Sequence, residues 1–239
     1  MMYRIPPHLT ALAAVVLAAT IGTACGSDDN DDAAMSAAAC DAYATIGASM
    51  FGDPSAVPDA ALTLGTEVPA ELLEAAGTYG NTFVAAFDGD EAALESPEFM
   101  AASDQLGSAA FDTCESDAQL DVNGIDFGFE GLPDEIAAGR LAMRFTNSTS
   151  ADEQHELVLM KKADGVTQTA TELLELPEEE LMSAVMPVAV VFADEKGGES
   201  VALVDLEPGS YVAICMIPTT GDGPPHAMNG MIADLEVVS

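Results

Sequence analysis

The spacing of apolar residues changes once along the chain, near residue 119, and this change constrains the fold more than any other feature. Before it, from about residue 37, apolar residues recur at the spacing of amphipathic helices. After it, short apolar runs alternate with polar residues between Gly and Pro, as in half-buried strands. The sequence therefore predicts an α+β chain: a small helical bundle over residues 37–118, then an antiparallel Greek-key β-sandwich over residues 119–239.

The helical region is predicted to contain three main helices. The first covers "MSAAACDAYATIGASMF", the second opens at Pro69, and the third opens with Ser96 as N-cap and Pro97 at its first position. The stretch "GDPSAVPDA" between the first two is predicted to be a loop. A helical insert, "TQTATELLELPEEELMSAVM", is predicted to interrupt the strands, with Pro177 opening its second half.

Residues 1–24 have the pattern of a signal peptide. Arg4 gives a weakly positive start, and "LTALAAVVLAATIGTA" is an apolar stretch that ends in small residues. This stretch is too short, and too soon followed by acidic residues, for a membrane span. The cysteine after it opens "CGSDDNDDAA", and this arrangement resembles the lipobox of bacterial lipoproteins.

The lipobox resemblance implies that Cys25 becomes the lipidated first residue of the mature chain. Residues 25–36 would then be an acidic tether that holds an exported, extracytoplasmic lipoprotein at the outer face of the cytoplasmic membrane. Simple secretion without a lipid anchor is the alternative.

The charge of the chain limits its partners. Its formal net charge is −35, from 41 acidic and 6 basic residues. Such a surface repels nucleic acid and anionic lipid headgroups, so neither is expected as a partner. A basic redox or protein partner is compatible with this charge, and the membrane would be reached through the lipid anchor alone.

The chain has four cysteines, Cys25, Cys40, Cys114 and Cys215. Export would place them where disulfides persist. With Cys25 acylated, Cys40 and Cys114 are the natural disulfide pair, because they lie near the start and the end of the predicted helical region. Cys215 is then left over, and either a metal or burial as a small hydrophobe would protect its thiol.

Two segments near the C-terminus resemble the signature of the cupredoxin (blue copper, plastocyanin-like) family. They are "LEPGSYVAICMIP" and "PHAMNGMIADLEV". The matching residues are Pro208, Gly209, Tyr211, Cys215, His226, Gly230 and Met231. Upstream, "RFTNSTSADEQHELVLM" is similar to the segment that carries the family's first histidine ligand, with Asn147 before His155. The resemblance covers residues 120–239 and implies a cupredoxin-like sandwich.

The same resemblance implies a site for one copper ion of the type 1 kind, with His155, Cys215, His226 and Met231 as ligands. A thiolate, two imidazoles and a long thioether suit both Cu(I) and Cu(II). The implied function is that of a membrane-anchored single-electron carrier or copper holder. Met228 offers a competing thioether, and zinc could occupy the site in place of copper.

Other interpretations of the same residues stay open. His155 could be a strand-end histidine, Cys215 an inert core thiol, and Met231 a packing residue, in a copper-free cupredoxin-fold interaction module at the cell surface. An enzyme is not predicted. Multicopper oxidases and copper nitrite reductases need further histidines, and the chain has three, of which His8 lies in the signal segment. No Gly-x-Ser-x-Gly motif supports a hydrolase.

Overall fold

The structure is a computed structural model, and it describes residues 34–150, 153–219 and 223–239. The predicted signal peptide, Cys25 and nearly all of the predicted tether lie outside the described residues. Within the described ranges, no helix is both long enough and apolar enough to span a membrane.

Helices precede the strands in the described chain, and two short helices interrupt them. The helices are α1 Ala37–Ala48, α2 Val57–Glu67, α3 Leu73–Phe87, α4 Pro97–Thr113, α5 Ala170–Leu174 and α6 Glu178–Ala184. The strands are β1 Ala118–Ile125, β2 Gly128–Glu130, β3 Glu135–Ala137, β4 Gly139–Asn147, β5 His155–Lys162, β6 Val185–Ala193, β7 Glu199–Leu206, β8 Gly209–Ile214 and β9 Ile232–Val238.

Side-chain caps fix where several helices begin. The Ser96 hydroxyl accepts a hydrogen bond from the Phe99 N–H at the start of α4, as the sequence predicts. The prediction of three main helices in this region is wrong, because α2 begins inside the stretch that was expected to be a loop. Pro58 lies in the first turn of α2, where a proline starts a helix rather than breaking it.

The strands form a sandwich of a four-stranded sheet, in the order β2-β1-β4-β7, and a five-stranded sheet, in the order β3-β9-β8-β5-β6. The predicted α+β class is confirmed. The prediction of an antiparallel sandwich is wrong in one respect: both sheets are mixed, because β1 pairs with β4 in parallel and β3 pairs with β9 in parallel. Strand β3 has only three residues, too few for an alternation of apolar and polar residues to predict it from the sequence.

The helices pack on the outer face of the four-stranded sheet. Tyr43 and Leu106 share one apolar cluster with Ala142 of β4 and Leu203 of β7. The Tyr43 hydroxyl also donates to the Val201 carbonyl, 2.9 Å away. A second cluster fills the space between the sheets, and a third lies under α5 and α6 on the outer face of the five-stranded sheet.

A disulfide joins Cys40 of α1 to Cys114, which directly follows α4. The pairing predicted from the sequence is confirmed. Cys215 is the free cysteine of the described residues, and it is buried.

Candidate metal centre

The candidate ligands lie together at one end of the five-stranded sheet. His155 is the first residue of β5, and Cys215 directly follows the last residue of β8. His226 opens a short 3-10 turn, and Met231 directly precedes β9. Because β8 lies between β5 and β9, the ends that carry these residues are adjacent.

Three predicted ligands converge on one point. The Nδ1 atoms of His155 and His226 are 3.0 Å apart, and the Cys215 sulfur lies 3.5 Å from the His226 Nδ1. The candidate ligand atoms of all three residues lie within 4.8 Å of one another. Each of the three residues is 0% exposed to solvent.

The backbone of the Cys215–Met231 segment holds these residues in place. The Cys215 N–H donates to the Met231 carbonyl, and the Met231 N–H donates to the His226 carbonyl, both at 3.1 Å. The Ala227 N–H closes the segment by donating to the Cys215 carbonyl at 2.9 Å. Gly230 ends the turn with φ 112°, a conformation that glycine adopts at little cost.

Burial distinguishes the two methionines that could serve as a fourth ligand. Met231 is 0% exposed and belongs to the same core cluster as Cys215, whereas Met228 is 59% exposed. A Cβ placed on Gly124 would lie 3.2 Å from the Met231 Cε, so the absence of a side chain at Gly124 makes room for the thioether.

Burial favours the neutral forms of His155 and Cys215 in the apo protein. Burial, and then the neighbouring His226 ring, lower the pKa of His155. Burial raises the pKa of the Cys215 thiol, and the backbone N–H groups of Glu156 and Ile217 partly oppose this rise. A metal would replace the thiol proton, and any proton between the facing Nδ1 atoms, on binding.

Hydrogen bonding at the histidines is incomplete. Neither His155 Nε2 nor His226 Nε2 has a hydrogen-bond partner among the described residues, and both atoms are buried. The Glu153 Oε2 lies 3.6 Å from the His226 Nε2, too far for a hydrogen bond. Burying these two atoms unpaired is costly whether or not a metal binds the Nδ1 atoms.

The three ligands fit a single metal ion. An ion about 2.0 Å from each Nδ1 and about 2.3 Å from the sulfur, the lengths of zinc bonds to these atoms, would span the 3.0 Å between the two Nδ1 atoms and the 3.5 Å from the His226 Nδ1 to the sulfur. Two histidines and a thiolate with a weak thioether are the donor set of blue copper sites. His155 and His226 are the histidines of the described residues, so none of those residues supplies a second histidine-rich copper centre.

A turn that the sequence does not indicate covers His226. The Phe127 ring packs edge-on against the His226 ring, with the ring centroids 5.5 Å apart. Phe127 has φ 59°, which is unusual for an aromatic residue. Asp126 fixes this turn by accepting from the Ser150 N–H at 2.8 Å and from the Thr149 and Ser150 hydroxyls.

Asn147, which the family resemblance placed upstream of His155, organises the approach to that histidine. It is fully buried, and its side-chain amide donates to the Glu153 carbonyl at 2.7 Å and to the Ala193 carbonyl at 3.3 Å. Ala193 pairs with His155 across β5 and β6. Asn147 therefore ties the segment before His155 to the neighbouring strand.

Comparisons with known proteins return structural neighbours only, since no family model and no curated protein matches the chain. The chain is similar to auracyanin from Roseiflexus castenholzii, with 17% identity over 52% of this chain and 100% of that one and a TM-score of 0.36. It is similar to auracyanin A, a "blue" copper protein from Chloroflexus aurantiacus, with 20% identity, coverage of 50% and 98%, and a TM-score of 0.30. It is also similar to reduced rusticyanin, with 17% identity, coverage of 56% and 95%, and a TM-score of 0.34.

Proposed function

We propose that the sandwich binds one copper ion through His155, Cys215 and His226, with Met231 as a weak fourth ligand, and that the chain carries single electrons. The observation that supports this most is the convergence of three buried donor atoms, with the two Nδ1 atoms 3.0 Å apart and the sulfur 3.5 Å from one of them. These are also the two histidines and the free thiol of the described chain.

Copper, when bound, supplies a one-electron couple that this donor set accommodates in both oxidation states. The residues of the chain would keep the site rigid. His155 is held in the β5–β6 ladder, and Cys215 and Met231 are hydrogen-bonded to each other through their backbones. Little ligand movement would then accompany electron transfer, and burial would keep water from the metal.

An electron carrier fits the site better than a protein that delivers copper. Ligand exchange with another protein needs at least one accessible donor, and here all three donor residues are 0% exposed. A copper-free interaction module would give no role to the convergence of the three buried donor residues, so it is the weaker alternative.

We further propose that the chain works outside the cytoplasm, anchored by a lipid on Cys25 and facing a basic redox partner. The Cys40–Cys114 disulfide supports export, because such bonds persist in oxidising compartments. The net charge of −35 supports a basic partner, since opposite charges steer encounter.

An optical titration tests the copper proposal. The mature chain carrying Cys25→Ser is titrated with Cu(II), beside the same chain carrying Cys215→Ser. We expect an intense visible band that saturates at one copper per chain, bleaches on reduction, returns on oxidation, and is absent from the Cys215→Ser control. No band in the parent chain, with Cys215 reacting as a free thiol after unfolding, would overturn the proposal in favour of the copper-free module.

A further inference from the structure

A cavity lies where the helices meet one edge of the sandwich. Strand β6 ends the five-stranded sheet and β7 ends the four-stranded sheet, so each of these strands has a partner strand on one side only. Residues of both strands line the cavity, and α1, α3 and α4 supply its other walls. Its volume is about 220 Å³. The cavity is therefore formed jointly by the helical region and the sandwich.

Aromatic rings form the wall of the cavity on the helical side. Four rings that line it are buried, and they belong to Tyr43, Tyr79, Phe83 and Phe99. The centroid of the Tyr79 ring lies 5.3 Å from that of Tyr43 and 5.6 Å from that of Phe99. The Tyr43 hydroxyl donates to the Val201 carbonyl, and the Tyr79 hydroxyl is hydrogen-bonded to Tyr43. Because both hydroxyl groups are already paired, the tyrosines offer ring surface to a ligand.

A carboxylate marks the open end of the cavity. Among the described residues that line it, Asp104 is the one charged side chain, and none is Lys, Arg or His. Asp104 is exposed to solvent. Partial burial, and then repulsion by the carboxylates of Asp194 and Glu199, raise the pKa of Asp104. The open end thus has a negative potential that no cationic side chain of the described lining neutralises.

The size and the chemistry of the cavity restrict its ligand. An apolar protein cavity of about 150 Å³ already accommodates benzene. A cavity of about 220 Å³ therefore has room for one six-membered ring with a short chain. The faces of aromatic side chains attract cations, and the carboxylate at the open end does so more strongly. Anionic ligands are disfavoured by the same groups.

We propose that this cavity binds a small organic cation, which consists of one apolar ring and a short chain that ends in an ammonium group. The ring would pack against Tyr43, Tyr79 and Phe99, and the ammonium group would meet the Asp104 carboxylate. This ligand would use none of the proposed metal ligands. The proposal therefore stands or falls separately from the copper centre.

Calorimetric titration of the apo mature chain carrying Cys25→Ser tests the proposal. The probe is phenethylamine, which is cationic at neutral pH, and phenethyl alcohol is its neutral match. Sodium chloride at about 150 mM shortens the Debye length to about 8 Å and so screens general attraction to the acidic surface. We expect one site that binds the amine about tenfold more tightly than the alcohol. No binding of the amine would overturn the proposal, and equal affinities would overturn its cationic part.

A pair of variants locates the site. Asp104→Asn should weaken amine binding about tenfold and leave alcohol binding unchanged, and the retained alcohol binding would show that the cavity is intact. Asp112→Asn is the matched control, because Asp112 is an exposed acid of the same helix, α4, that does not line the cavity. This control should bind both probes as the parent does. Equal loss of amine binding in the two variants would overturn the assignment to Asp104.

Discussion

At the scale of single residues, small side chains make the room that the site needs. Gly124 lies under the Met231 thioether and the Phe145 ring, where an added Cβ would come within 2.6 Å of the Phe145 Cζ. Nothing in the sequence around Gly124 indicates this role, because the three residues meet only in the folded sandwich.

Gly124→Ala should lower the free energy of unfolding by about 1–3 kcal/mol, since it overpacks a filled core. Chemical denaturation of the apo protein measures this. Gly77→Ala is the control, because its added Cβ meets nothing within 4 Å in α3. That substitution should stabilise the protein by about 0.5–1 kcal/mol. Equal effects of the two substitutions would contradict the packing described for Gly124.

Burial also decides between two thioethers that the sequence could not separate. Met228 and Met231 flank Gly230, and only the fold shows that Met228 is exposed and Met231 enclosed. Met231→Leu should change the visible spectrum and the reduction potential of the copper-loaded protein, whereas Met228→Leu should leave both unchanged. If only Met228→Leu changed the spectrum and the potential, Met228 and not Met231 would be the fourth ligand.

At the scale of elements, the sequence predicts what local chemistry determines. The cap at Ser96, the split of the insert at Pro177 and the strand that leads to Cys215 all appear in the structure. The sequence does not predict features that depend on contacts between distant segments. Strands β2 and β3 lie between β1 and its parallel partner β4, the parallel partner of β3 is the last strand, and Phe127 contacts His226 across about a hundred residues.

The disulfide links two elements that are distant in sequence. Cys40 and Cys114 are separated by 74 residues, so the bond restricts a long loop in the unfolded chain. Replacing both with Ser should lower the free energy of unfolding by about 2–5 kcal/mol. The visible band of the copper-loaded protein should persist, because the ligands lie in the sandwich. Loss of that band in a folded double variant would show that the site depends on the bond.

At the scale of the whole molecule, charge is the dominant feature. The net charge of −35 creates repulsion within the folded chain, and dissolved salt screens it. Raising sodium chloride from about 10 mM to about 150 mM shortens the Debye length from about 30 Å to about 8 Å. The thermal midpoint of the apo protein should rise over this interval. A falling midpoint would mean that its few ion pairs outweigh the repulsion.

The same acidity complicates any search for copper, because surface carboxylates also bind Cu(II). X-ray absorption at the copper K-edge separates the two cases, since it reports the atoms bonded to the metal. For the mature chain loaded with one copper, we predict one short copper–sulfur bond together with two imidazole nitrogens. A shell of nitrogen and oxygen atoms without sulfur would contradict the copper centre at His155, Cys215 and His226.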